Sequence, residues 1–235
     1  IIPSGRLGDR FGHRRLFLLG TIVLAVASLA CGAATSPFVL IASRFLQGLG
    51  AGMLVPQTLT LIGVTFPENI RGRAVGIWGS IAGTASVVGP LAGGVLIDGL
   101  SWRWVFLVNL PIAVLVVILG MRSLPIEVVR SVRVDFVGTF LAGIGLVALL
   151  YGSLQGPHAG WDPLTIACLP FAVLCLFAFF RYERRADPAY AVFPQSLRKN
   201  PRFLTAAVFG LIVALGVFAL TFLVSNYIQS VMGQT

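Results

Sequence analysis

Apolar residues run through this chain in long uninterrupted blocks and do not alternate with polar ones. No Asp, Glu, Lys or Arg occurs over 16–43, 45–67, 74–97, 104–121, 136–161, 163–180 or 203–235. A hydrocarbon core of roughly 30 Å takes about 20 helical residues to cross, so each block is long enough for one span. Thr35-Ser36-Pro37 breaks the first stretch from the second. The pattern predicts helices over about 16–34, 38–66, 73–97, 104–121, 136–154, 164–181 and 203–229, about seven in all. Only helices and closed barrels satisfy their backbone in lipid, and barrel strands would alternate over about ten residues. The expectation is an all-α polytopic membrane protein.

Composition agrees and narrows the field. Of 235 residues, 57% are hydrophobic and 11% charged, with a mean hydropathy of +0.94. A soluble domain carries roughly 25% charged residues, and a disordered chain is poor in apolar ones. Both classes are excluded. Cys31, Cys168 and Cys175 all lie in apolar stretches, where cysteine is a small core residue and not part of a disulfide framework.

The formal charge of +9 is distributed by loop. Arg6, Arg10, Arg14 and Arg15 precede the first span. Arg71 and Arg73 follow the second, Arg122, Arg130 and Arg133 the fourth, and Arg181, Arg184, Arg185, Arg198, Lys199 and Arg202 the sixth. These are fifteen of the 17 basic residues; Arg103 alone lies in an opposite loop and Arg44 alone inside a span. The positive-inside bias then makes the loops at 1–15, 67–73, 122–135 and 181–202 cytoplasmic. The excess charge is therefore membrane topology, with some attraction for anionic headgroups, and not a nucleic-acid patch. Residues 1–15 begin apolar and turn basic, the reverse of a signal peptide. Ile1-Ile2 reads as the end of an earlier helix, and the chain as a fragment cut at both ends.

Three motifs carry chemistry. The first is Gly5-Arg6-Leu7-Gly8-Asp9-Arg10-Phe11-Gly12-His13-Arg14-Arg15, whose glycines permit close approach and positive φ. Read on charge alone, it is a basic juxtamembrane loop that holds topology. The second surrounds Arg44. An intramembrane arginine costs from about 2.5 to over 10 kcal/mol unless hydrated or paired. Arg44, Gln47, Gly48 and Ala51 share one helical face, suited to lining a cavity; the alternative is that Arg44 snorkels outward. The third runs Gly76, Ala85, Gly89-Pro90, Gly93-Gly94, with Gly79 and Gly83 between. Pro90 crowds the carbonyl of Ser86, so a bend is expected. Glycines at i, i+4 also let helices pack closely, and packing accounts for Gly79 and Gly83.

Together these motifs resemble the major facilitator superfamily, in particular its fourteen-helix drug:proton antiporter branch. The first is similar to the loop signature G-x-L-x-D-R-x-G-R-[KR]-[KR], with His13 in place of a basic residue. The second resembles the fourth-helix R-x-x-Q-G pattern. The third resembles the fifth-helix antiporter motif G(x)8G(x)3GP(x)2GG, with Ala85 at one glycine. The strings Trp102-Arg103-Trp104 to Pro111, Val134-Asp135 to Trp161, and Asn226-Tyr227-Ile228-Gln229 with Gly233 are similar to segments of the same branch.

The resemblance implies a partial major facilitator bundle: an incomplete six-helix N-terminal half over 1–122, two extra central helices over 123–200, and the first helix of the C-terminal half over 201–235. It implies secondary active efflux, with protons exchanged for drugs or other small amphipathic compounds by alternating access, in the plasma (inner) membrane. Arg44 and Gln47 would line the path. Gly5, Asp9, Arg10, Gly12, Arg14, Arg71 and Arg73 would form a cytoplasmic gate, with Asp9 pairing Arg71 or Arg73 in one state. Gly76, Ala85, Gly89, Pro90, Gly93 and Gly94 would form the pivot. The expected partners are a drug-like substrate, protons and the bilayer, with no nucleic acid, and the protein a monomer. The expectation includes no enzyme activity, no cofactor beyond the proton gradient and no metal: no Cys/His cluster has metal spacing, and no Walker loop or nucleophile triad occurs. Asp135 and Asp162, at span edges, read as solvated caps. The alternatives are a proton-linked or passive metabolite carrier, and a non-transporting membrane receptor or scaffold on the same fold.

Overall fold

The computed structural model describes residues 2–125, 135–185 and 200–231; within α-helices it leaves the side chains of 2–3, 136, 158–159, 217–218, 221–222 and 224–231 aside. Arg130, Arg133, Val134, Arg198, Lys199 and Gly233 therefore lie outside the described residues, as do the side chains of Asn226, Tyr227 and Gln229. The described chain is helical, without strands, and forms two compact units, residues 1–139 and 140–235.

The first unit contains α1 (Ile2–Phe11), α2 (His13–Gly32), α3 (Pro37–Thr65), α4 (Glu68–Gly99), α5 (Trp104–Leu107) and α6 (Asn109–Ser123). The stretch expected as a loop over 1–15 is instead helix, interrupted at one residue. Gly12 has φ 93°, a left-handed value open to glycine at no steric cost, and that single break separates α1 from α2. The expected loop at 67–73 is also helix. Phe66 and Pro67 make the whole turn, and the amides of Ile70 and Arg71 bond the Pro67 carbonyl. Glu68 in the first turn suits the positive end of the helix dipole. Charged residues lengthen these helices beyond their apolar blocks because Arg and Glu are good helix formers.

The α2–α3 hairpin is the centre of this unit. Ser36 caps α3, accepting from the Val39 amide at 3.4 Å, with Pro37 in the first turn. Where the two helices cross, a Cβ on Gly20 would lie 3.0 Å from the Gly50 carbonyl, and one on Gly50 2.9 Å from the Gly20 carbonyl. Small residues at the crossing allow this backbone approach. On the other flank, a Cβ on Gly120 would press Leu18, and one on Gly32 would press Leu107, so α6 and α5 lie against α2.

The span expected over 104–121 is broken at Val108. Pro111 supplies no amide to the Leu107 carbonyl four residues earlier, and α5 ends there. α4 departs further from the packed arrangement. None of its side chains is buried, and a Cβ on Gly76, Gly79, Gly83, Gly89, Gly93 or Gly94 would meet nothing within 4 Å. The helix runs continuously through Pro90.

The second unit holds most of α7 (Phe136–Ala159), together with α8 (Pro163–Glu183) and α9 (Pro201–Val231). α7 continues through Pro157, past the expected end at 154. It stops at Gly160, φ 66°, and Trp161, φ 59°. The Trp161 amide returns to the Gly156 carbonyl at 2.9 Å and its ring covers Gly156, the hydrogen bond and apolar contact of a Schellman stop. Asp162 then caps α8, accepting from the Thr165 amide at 3.0 Å. Gly145 and Gly152 admit Leu176 and Leu169. The helices overrun the expected loops at 122–135 and 181–202 as well: Arg122 belongs to α6, Arg181 to α8 and Arg202 to α9.

Six described helical stretches are long and apolar enough to cross a bilayer, counting Trp104–Ser123 as one. The seventh expected span, 203–229, lies within α9.

Candidate functional site

Two polar chains cross the otherwise apolar first unit. One is centred on Arg44 in α3. Its Nη1 donates to Gln47 Oε1 at 2.9 Å. Gln47 Nε2 in turn donates to Ser28 Oγ in α2 at 2.8 Å, and Ser28 is fully buried. The arginine carbon Cζ also lies 5.5 Å from the centre of the Phe106 ring in α5, within cation–π range. Seven residues into α3, Arg44 sits about 10 Å from the helix start at 1.5 Å per residue. Within this chain its side chain is exposed, as is Gly48, while Gln47 is half-buried. Arg44 is thus held from below by Gln47 and from the side by Phe106, with its outer edge uncovered by the described residues.

The other chain ties α1, α2 and α3 together at the arginine-rich end. Pro56 lies inside the continuous helix α3 and supplies no amide for the Gly52 carbonyl four residues before it. Ser4 Oγ donates to that carbonyl at 2.6 Å. Gln57, fully buried, donates from Nε2 to the Ser4 carbonyl at 2.6 Å. Its Oε1 lies 2.6 Å from His13 Nδ1, and His13 Nε2 lies 3.1 Å from Asp9 Oδ1. Gly8 is needed beside them, because a Cβ there would overlap both Gln57 and His13.

The other gate residues are placed as follows. Arg10 is exposed and its Cζ stands 5.4 Å from the Phe11 ring. Gly5 lies in α1 with open space beside it. Arg14 Nη2 donates to the Met121 carbonyl at 2.5 Å, one of the last-turn carbonyls of α6 that lack a helical partner. Arg71 and Arg73 are exposed on α4, and Asp9 bonds His13 here. Arg73 borders an apolar cleft of about 430 Å³ between α3 and α4, walled by Phe66, Ile77 and Trp78.

Arg103 mirrors Arg14 at the opposite end of α2: its Nη2 donates to the Ala34 carbonyl at 3.2 Å, and its Cζ lies 4.7 Å over Trp102. Ala85 and Pro90 are uncovered, as are Gly76, Gly89 and Gly94, while Gly93 is half-buried.

Asp135 caps α7 through the Gly138 amide at 2.9 Å, but it is buried and so not the solvated cap expected. Asp162 fits that description. The Thr165 hydroxyl and amide hold its carboxyl below the usual range.

Sequence reading missed Ser4, Ser28, Gln57 and Phe106. A signal existed for Gln57, a large amide directly after a proline in an apolar block. Ser28 is silent in sequence, because small hydroxyl residues are common in membrane helices.

These features define a multi-pass α-helical membrane protein. All of it, residues 1–235, matches the model of the Major Facilitator Superfamily, and the chain belongs to that superfamily. Over 99% of its length it is 40% identical to a puromycin resistance protein of Streptomyces alboniger. It is 34% identical to a methylenomycin A resistance protein of Bacillus subtilis, again over 99%, and 32% identical over its whole length to a tetracenomycin C resistance and export protein of Streptomyces glaucescens. The chain spans 46%, 50% and 44% of those relatives respectively. All three are named as resistance proteins, and the last also as an export protein.

Proposed function

We propose that this chain belongs to a secondary active exporter that exchanges protons for drugs or other small amphipathic compounds by alternating access. The observation that carries the reading is the hydrogen-bonded series Arg44–Gln47–Ser28. A guanidinium at that depth is costly in lipid and tolerable beside a hydrated passage. In this reading the uncovered edge of Arg44 faces the passage, and Gln47 and Phe106 fix its direction. The antibiotics named for the resistance relatives, one of them also an export protein, support the class of cargo.

In the same reading Gly5, Asp9, Arg10, Gly12, Arg14, Arg71 and Arg73 form the gate on the cytoplasmic side, the side assigned by the arginine distribution. The glycine-lined, uncovered face of α4 is the pivot surface. Residues 1–122 form part of an N-terminal bundle, 123–200 two central helices and 201–235 the start of a C-terminal bundle. The protein works as a monomer in the plasma membrane, driven by the proton gradient without a cofactor.

The test is dye efflux by the intact protein carrying Arg44→Ala. Efflux driven by a proton gradient should be abolished with expression unchanged. Undiminished efflux removes Arg44 from the mechanism, and wild-type efflux that survives collapse of the gradient replaces the exchanger with a passive carrier.

A further inference from the structure

The series through Gln57 has a direction, and the direction demands a proton. The Ser4 carbonyl can only accept, so the Gln57 amide facing it is the NH₂, and Oε1 faces His13. Oε1 can only accept too, which makes His13 Nδ1 a donor. On the other side of the ring, Nε2 faces a carboxylate oxygen of Asp9 at 3.1 Å, again an acceptor. A neutral imidazole has one donor and one acceptor nitrogen; it can serve Gln57 or Asp9 and must set a lone pair against the other. The imidazolium serves both.

We propose that the Asp9–His13 pair is a proton-binding site, and that the bound proton locks α1 and α2 onto α3 beside Pro56. With the proton in place, Asp9 bonds His13, His13 bonds Gln57, and Gln57 bonds the Ser4 backbone while the Ser4 hydroxyl holds the Gly52 carbonyl. The proton adds to the Nε2 lone pair, and the pair goes from one net negative charge to none. On its departure, repulsion between Nε2 and Asp9 Oδ1 turns the ring. Gln57 then loses its His13 partner, and the tie from α2 through Gln57 to α1 is weakened, while the Ser4 contacts to α3 remain.

The site is built to respond. The His13 side chain is 12% exposed and that of Asp9 45%, so a proton reaches the ring by way of Asp9. The charged groups around it are Asp9, Arg6 and Arg10 on α1, Arg14 and Arg15 on α2 itself, and Arg122 on the last turn of α6. α3 presents only the uncharged Gln57 there; its one charged residue, Arg44, lies toward the other end. This proposal deepens the gating role given to Asp9 and rests on that reading for its part in transport, but proton binding is measured without transport.

The experiment uses the intact protein in lipid nanodiscs with isotope-labelled histidine and glutamine. Ring signals are assigned to His13 by their loss in His13→Arg. Spectra are compared in acidic and in alkaline buffer. We expect both ring nitrogens to carry protons on the acid side and one on the alkaline side, with the Gln57 side-chain amide changing environment in step. In His13→Arg, a permanent cation with donors to spare, the Gln57 amide should lose its pH response. A ring that titrates while the Gln57 amide stays unmoved overturns the lock, and a ring that holds a single proton throughout overturns the site. A second arm follows export against pH. A flattened profile in His13→Arg extends the site to the transport cycle. A protein whose ring and Gln57 titrate together but which exports nothing overturns the exporter reading and leaves the proton site standing.

Discussion

Ser4 Oγ reaches the carbonyl of Gly52 across 2.6 Å, on the acceptor that Pro56 leaves without an amide. A side chain of α1 thus completes the backbone of α3. In an apolar setting an unsatisfied carbonyl costs about 1–3 kcal/mol, so Ser4→Ala should lower the thermal stability of the intact protein. Pro56→Ala restores the missing amide, and Ser4→Ala should then cost much less. Thermal unfolding of the two single variants and the double variant gives the coupling. Simple additivity would show that Ser4 does not serve this carbonyl.

Glycines that meet at a crossing differ measurably from glycines that face open space. A Cβ at Gly50 would lie 2.7 Å from the Leu24 amide nitrogen, and backbone cannot give way as a flexible side chain can. Gly50→Ala should destabilise by about 1–3 kcal/mol, the cost of overpacking. Gly48→Ala, two residues away with nothing within 4 Å, should be neutral or stabilising by up to about 1 kcal/mol from helix propensity. Melting temperatures in one detergent compare them directly.

Much of this was written in the chain. The spans follow from the blocks free of charge, because lipid tolerates nothing else over that length. That Arg44 and Gln47 share one side of a helix followed from their spacing. The helix limits at Gly12–His13 and Glu68 were less legible: arginine and glutamate read as loop, yet they extend a helix readily once it emerges from the apolar block. The Ser4–Gln57–His13 series was not legible, since it joins residues 53 and 44 positions apart, and only the packing of α1 on α3 reveals that a proline's lost hydrogen bond is being repaired. That α4 stands uncovered among the described residues was not legible either, because a glycine pattern specifies closeness without naming a partner.

Asp9 bonds His13 in this structure, so the proposed pairing of Asp9 with Arg71 or Arg73 requires a different state of the transport cycle. Asp9→Arg and Arg73→Asp should each reduce efflux, and the exchanged pair should restore part of it. Both sites are near exposed ends of α1 and α4, so folding should survive all three changes, with expression level as the control. Absence of any restoration would remove the pairing from the cycle.

Asp162 makes the α8 cap sensitive to acid. Hydrogen bonds from the Thr165 hydroxyl, at 2.5 Å, and the Thr165 amide, at 3.0 Å, favour its carboxylate and hold its pKa below the ordinary value. A carboxyl whose folded pKa is depressed contributes stability above its unfolded value, about 3.9, and that contribution is lost as pH falls through the lower folded value. Asp162→Ala should therefore melt at a lower temperature than wild type at neutral pH, and the gap should narrow in acid. The narrowing distinguishes the charge-assisted cap from mere side-chain packing, which has no reason to follow pH. Thr165→Val removes the hydroxyl and keeps the amide donor, so it should shrink the pH-dependent part of the gap without abolishing it. Melting curves of the three proteins from neutral pH to about pH 3 test this, and a gap that stays constant across that range would show that Asp162 contributes nothing through its charge.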